Sequence, residues 1–164
     1  MHRNLQASSI LRCASLDQAF ALLNSALRSS LFTPGMGCLT MNEGKTILIV
    51  DDDIDILDST SQILNKLGYK ALCASSGTAA LDTLKKNREA VDLVILDMLM
   101  PGMSGSDLYP RLKNINPDLR VLVSTGYNRD EQIQHLLDGG RNGFIQKPYN
   151  LSQLIEKVRK TLRS

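Results

Sequence analysis

The chain is predicted to fold as an α/β domain: five parallel strands in one doubly wound sheet, with helices on both faces forming a three-layer sandwich. Two observations carry that prediction. From Thr46 onward, short apolar runs rich in Val, Ile and Leu alternate with longer segments of helical spacing, the pattern of repeated βα units. Three of the short runs are unbroken rather than alternating, as expected of parallel strands covered on both faces. Right-handed crossovers between five such units give the doubly wound topology.

Residues 1–44 read differently from the rest. Ser15-Leu16-Asp17-Gln18 has the spacing of a capping box, and Leu16, Phe20, Leu23, Leu27 and Leu31 then share one face until Pro34-Gly35. An amphipathic helix over 16–31 would dock on the domain or pair with a second copy. The plainer reading is a weakly ordered extension. The segment is also poor in acid and carries Arg and Ser, which resembles a transit peptide. Met36 and Met41 leave open a natural start just before "NEGKTILIVDDD".

Over 45–164 the expected strands are Ile47–Val50, Tyr69–Ala74, Leu93–Leu96, Val121–Ser124 and Gly143–Ile145. The expected helices are Asp55–Leu67, Thr78–Asn87, Ser106–Asn114, Asp130–Leu137 and Leu151–Leu162. A stripe of Ile56, Ile63, Leu64 and Leu67 supports the first helix, and Leu151, Leu154, Ile155, Val158 and Leu162 support the last. Gly68 stops the first helix and Gly139-Gly140 the fourth.

Composition narrows the function. The whole chain has a formal charge of +2, but residues 46–164 hold fifteen basic and fifteen acidic residues, so the body offers no footprint for a nucleic-acid backbone. No apolar run approaches the roughly 18 residues that suggest a membrane span. Cys13, Cys38 and Cys73 show neither CxxC spacing nor a nearby His cluster, which fits the reducing cytoplasm rather than a disulfide framework or zinc site.

In an open parallel sheet, ligands bind outside the carboxyl ends of the strands, where strand order reverses. Asp51-Asp52-Asp53 end the first strand, Asp97 the third and Thr125 the fourth, while Lys147-Pro148 follow the fifth. Carboxylates converging there repel one another unless a cation holds them. Mg²⁺ suits the set, since it favours a few carboxylates plus water and phosphate oxygens. A hydroxyl from Thr125 and an ammonium from Lys147 complete a group suited to phosphoryl transfer onto an aspartate. Each piece alone has a plainer reading, as a helix cap, a turn residue or a surface lysine. Their joint placement favours chemistry.

The segments "ILIVDDD", "LVILDMLMPGMSG", "VLVSTGY" and "GFIQKPY" resemble the four signature stretches of the response-regulator receiver domain of two-component signalling, across about residues 45–164. The resemblance implies a flavodoxin-like fold and a phosphoacceptor at Asp97, with Asp51, Asp52 and Asp97 holding Mg²⁺. It also implies that Thr125 and Lys147 bind the phosphoryl group and that Lys147-Pro148 is cis. Phosphorylation would draw Thr125 inward and let Phe144, the switch aromatic, fill the space it leaves. The face over 130–162 would then change its affinity for a downstream protein.

By the same resemblance, Pro101-Gly102 turns the chain so that Asp97 stays accessible. Leu99 and Tyr127 flank the path of an attacking water, and neither orients water well, so slow self-dephosphorylation is expected. "NPDLRVLVSTGYNRDEQ" is closer to receivers fused to hybrid sensor kinases than to those preceding DNA-binding domains. The implied donor is a histidine kinase or histidine phosphotransfer protein, and output runs through a protein contact rather than through DNA or a membrane. Whether the domain forms a homodimer is left open.

Two other functions remain to be weighed. Asp51-Asp52-Asp53 has the DxD spacing of haloacid-dehalogenase-like phosphatases, but only Glu156 follows Lys147 as an acid, and Asp97 goes unused. A receiver-shaped interaction protein that never needs phosphate would bind its partner unchanged after Asp97→Ala.

Overall fold

A computed structural model describes residues 44–126 and 142–164. In chain order these form β1 (Thr46–Val50), α1 (Ile54–Lys66), β2 (Lys70–Ala74), α2 (Gly77–Lys86), β3 (Val91–Asp97), α3 (Gly105–Ile115), β4 (Arg120–Thr125), β5 (Asn142–Gln146) and α4 (Leu151–Arg163). The expected helices at 16–31 and Asp130–Leu137, the Gly139-Gly140 stop and Tyr127 lie outside the described residues. No helix among the described residues is long and apolar enough to cross a membrane.

All strand pairs are parallel and the sheet order is β2-β1-β3-β4-β5, as the doubly wound class requires. The chain runs from β1 out to β2, then returns past β1 to β3. The reversal therefore opens a crevice at the carboxyl ends of β1 and β3. Alternation along the strands sends Leu48 and Val50 to a core covered by Ala80, Leu84, Leu108 and Leu112 of α2 and α3. Ile47 and Ile49 point the other way, onto Leu57 and Leu64 of α1 and Leu154 and Val158 of α4. Every residue of β1 is buried, which fits a strand with neighbours on both edges and helices on both faces.

Within α1 the buried seam is Leu57, Thr60 and Leu64. Ile56 and Ile63, assigned to the stripe from sequence, are only half-buried and flank that seam. Two neighbouring apolar rows on one short helix fit the same periodicity, and packing against β2 and β1 selects between them. Gly68 stops the helix with φ +86°, a left-handed conformation that glycine takes without steric cost. Tyr69 still donates its N–H to Leu64 O, so β2 begins one residue later than expected. On α4 the expected apolar row holds, with Leu154, Ile155 and Val158 buried.

At the end of β3 the strand runs on to Asp97 itself, paired in register with Ser124. The loop beyond folds back sharply. Gly105 N donates to Met98 O at 3.1 Å, and a Cβ on Gly105 would stand 2.5 Å from Asp97 O and 2.6 Å from Met98 Cα. Only glycine lets α3 start this close to the strand.

Candidate functional site

Each charged residue of the site is delivered by a strand end. Asp51 follows β1 and Asp97 ends β3, and both are almost fully buried, at 5% and 6% exposure. Asp52 is exposed beside them. One carboxylate oxygen from each of Asp51, Asp52 and Asp97 lies within 4.8 Å of the others. The third aspartate of the triplet has a different task. Asp53 caps α1, its Oδ1 accepting from Asp55 N at 2.9 Å and Ile56 N at 3.3 Å, while its own N–H donates to Asp51 Oδ1 at 3.0 Å. The helix cap thus also holds Asp51 in place. A DxD phosphatase would need Asp53 as its proton donor, and here that carboxylate is turned to the helix end.

Lys147 reaches the acids from the end of the edge strand β5. Its Nζ lies 2.8 Å from Asp51 Oδ2 and 3.1 Å from Asp97 Oδ2, bridging the two buried carboxylates. The backbone that carries it is tied to the end of β4. Lys147 N donates to Thr125 O at 2.7 Å, and the Lys147-Pro148 bond is cis, as expected from the sequence.

Burial pushes the Asp97 carboxyl above its usual range, and the Asp51 charge adds to this. The Lys147 ammonium opposes both. For Lys147, burial alone would lower the pKa, but hydrogen bonds to Asp51 and Asp97 outweigh it and hold the ammonium protonated. A pair of buried carboxylates that recruits an ammonium is a site that demands positive charge. Three carboxylate oxygens at this spacing match the hard-oxygen donor set of a small divalent cation.

Thr125 closes β4 and is buried, its carbonyl joined to the lysine backbone. Phe144 lies on β5, paired in register with Val123, half-buried against the core beneath α2 and α3. All of the expected site residues with described positions fall at one end of the sheet except Phe144, which sits three residues before the lysine on its flank.

Leu99 is 56% exposed, and its N–H makes only a long 3.4 Å contact to Asp97 Oδ1. That leaves this oxygen more lightly held than its Lys147-bound twin. Two neighbours were not picked out from sequence. Tyr149 is half-buried on the α1/α4 core, and burial raises its phenol pKa, with the charges of Lys147, Asp51 and Asp97 also acting on it. Its place two residues after Lys147 was the available signal. Ile54, two residues after Asp52, is 63% exposed. As the first residue of α1 it looks like any other apolar helix residue in the sequence.

Comparison with known proteins matches this architecture. The family model for the response regulator receiver domain matches residues 47–159. Sporulation initiation phosphotransferase F of Bacillus subtilis (strain 168) is 38% identical over 122 residues, covering 74% of this chain and 95% of that protein. Sensor kinase CckA of Brucella abortus (strain 2308) is 32% identical over 117 residues, or 71% of this chain, yet the match spans only 12% of that protein. Among solved structures, a CheY-like response regulator receiver domain protein from Methanospirillum hungatei JF-1 superposes with a TM-score of 0.66 at 35% identity, covering 73% of this chain and 94% of that one. A sheet whose carboxyl edge gathers Asp51, Asp97, Thr125 and Lys147, with a family match across that whole span, makes the chain a member of the response regulator receiver domain family: a phosphoacceptor signalling module of two-component systems.

Proposed function

We propose that Asp97 accepts a phosphoryl group from a phosphohistidine on a histidine kinase or histidine phosphotransfer protein, in the cytoplasm, with Mg²⁺ held by Asp51, Asp52 and Asp97. The observation that carries this is the Lys147 ammonium bridging two buried carboxylates beside a third at the strand-order reversal. Mg²⁺ at that cluster would screen the acids and draw charge from the phosphoryl oxygens.

A carboxylate oxygen of Asp97 attacks phosphorus, the donor's N–P bond breaks, and an O–P bond forms as the imidazole leaves. Lys147 exchanges a carboxylate partner for a phosphoryl oxygen, and its fixed backbone keeps the ammonium aimed at the site. Burial contributes too, since the ammonium acts more strongly where water is sparse. The Thr125 hydroxyl then turns toward the new oxygens, and Phe144 moves into the space freed. The face over 130–162 thereby changes its fit to a downstream protein, with no direct contact to nucleic acid.

The test is mass spectrometry of the full chain after incubation with acetyl phosphate and Mg²⁺. Wild type should gain one phosphoryl group, and Asp97→Asn should gain none. Equal labelling of the two would reject Asp97 as the acceptor.

A further inference from the structure

Ser124 is an odd residue for its place. It follows Val121, Leu122 and Val123 in β4 and is 1% exposed, and its Oγ makes no hydrogen bond among the described residues. A buried hydroxyl without a partner costs stability, and alanine would fill the same space without that cost. A group kept on those terms has its use in another state of the protein.

The register of the sheet says where it points. Ile95 and Leu122 pair across β3 and β4 and belong to the core beneath α1 and α4. Two positions on, Asp97 pairs with Ser124, and Ser124 pairs in turn with Ile145 of that same core. Ser124 therefore faces α1 and α4, while Thr125, one residue on, faces the side of Val123 and Phe144. Neighbouring hydroxyls on β4 thus serve opposite faces.

The Ser124 face also holds Tyr149, half-buried on that core, two residues after Lys147 and one before Asn150, the cap of α4. Burial raises the Tyr149 phenol pKa, and the Ser124 hydroxyl lowers it. The two hydroxyls are close enough to feel each other, yet the Ser124 Oγ is not hydrogen-bonded at rest.

A phosphoryl group on Asp97 would draw the Thr125 hydroxyl and the Lys147 ammonium toward one point. Ser124 adjoins the first and Tyr149 lies two residues from the second, and the two segments are already joined by the 2.7 Å bond from Lys147 N to Thr125 O. The same pull brings the hydroxyls on the α1/α4 face together.

We infer that Ser124 and Tyr149 are a positioning pair that closes when Asp97 is phosphorylated, with Ser124 Oγ donating to Tyr149 Oη. Neither touches a reacting atom. The closed pair steadies the segment that carries Lys147 and passes the state of the site to the start of α4, on the face opposite Phe144. The inference rests on the phosphoacceptor reading above and adds to it two residues that stabilise the phosphorylated state.

The experiment is a calorimetric titration of the full chain with beryllofluoride, a phosphoryl mimic, at saturating Mg²⁺. Ser124→Ala and Tyr149→Phe should each weaken binding about fivefold, the net worth of one neutral hydrogen bond. The double variant should also lose about fivefold rather than about twenty-five-fold, because either change alone opens the pair. Before beryllofluoride is added, Ser124→Ala should melt no lower than wild type, since its hydroxyl has no partner to lose.

Unchanged beryllofluoride affinity in either single variant, losses that multiply in the double variant, or a lower melting point of unliganded Ser124→Ala would each overturn the pair. All three would spare Asp97 as acceptor. A wild type that binds no beryllofluoride and takes no label from acetyl phosphate would overturn both.

Discussion

Asp97 is held between two opposing demands. In the proposed role its carboxylate must be charged to attack phosphorus, yet burial and the Asp51 charge favour the protonated form, and Lys147 only partly offsets them. The raised pKa has a direct consequence for stability. Well below the ordinary carboxylate range, Asp97 is protonated in folded and unfolded chains alike, so this group adds no bias. As pH rises through that range and on past the raised folded value, the unfolded chain releases the proton first, and the folded state loses stability.

Asp97→Asn removes that penalty while Asp51 still pairs with Lys147. In the absence of divalent ions, the variant should therefore be more stable than wild type at about pH 7, with the gap closing toward about pH 4. Denaturant midpoints at the two pH values check this, and a variant less stable than wild type at both would contradict it. Asp97, Thr125 and Lys147 were legible in the sequence because unusual residue types stood at strand ends. Ile54 was not, because exposure is decided by which row of α1 meets the sheet.

The β3–α3 connection shows how an element can be readable in kind and still uncertain in detail. An apolar run ending in Asp97 before Pro101-Gly102 announced a buried strand and a turn, and both are present. The strand is longer than expected at each end because Val91 pairs with Thr46 of β1 and the ladder to β4 continues through Asp97. Such ends depend on neighbouring strands far away in sequence.

The same loop borders Asp97, the proposed acceptor. Leu99 is exposed beside Asp97 and brings no group that orients water. The aspartyl phosphate should therefore decay slowly, and Leu99→Asn should accelerate the decay by about tenfold, as a positioned amide gives water a partner. Tyr127→Glu should act in the same direction. Radiolabel retention after removal of the donor measures it, and unchanged decay in both variants would count against the idea.

For the whole molecule, the doubly wound order was legible because alternating βα units permit few topologies. The order β2-β1-β3-β4-β5 is one of them, and it is what joins residues 46 to 96 positions apart into one site. Because the acids come from different strands, a cation there links parts of the sheet that unfolding separates. Mg²⁺ at about a hundredfold excess over its Kd should stabilise the domain by about 2.7 kcal/mol, a rise of several degrees in Tm, and Asp51→Asn should remove most of the gain. Calorimetry with and without Mg²⁺ checks it; an equal rise in the variant would move the metal elsewhere.

The 2.7 Å bond from Lys147 N to Thr125 O carries a last consequence. In the proposed site, the Thr125 hydroxyl and the Lys147 ammonium hang from backbones tied to each other, so a shift of one strand end is passed to the other. They behave as two fingers of one hand, and the grip they form is tuned by whatever shifts the knuckle between β4 and β5.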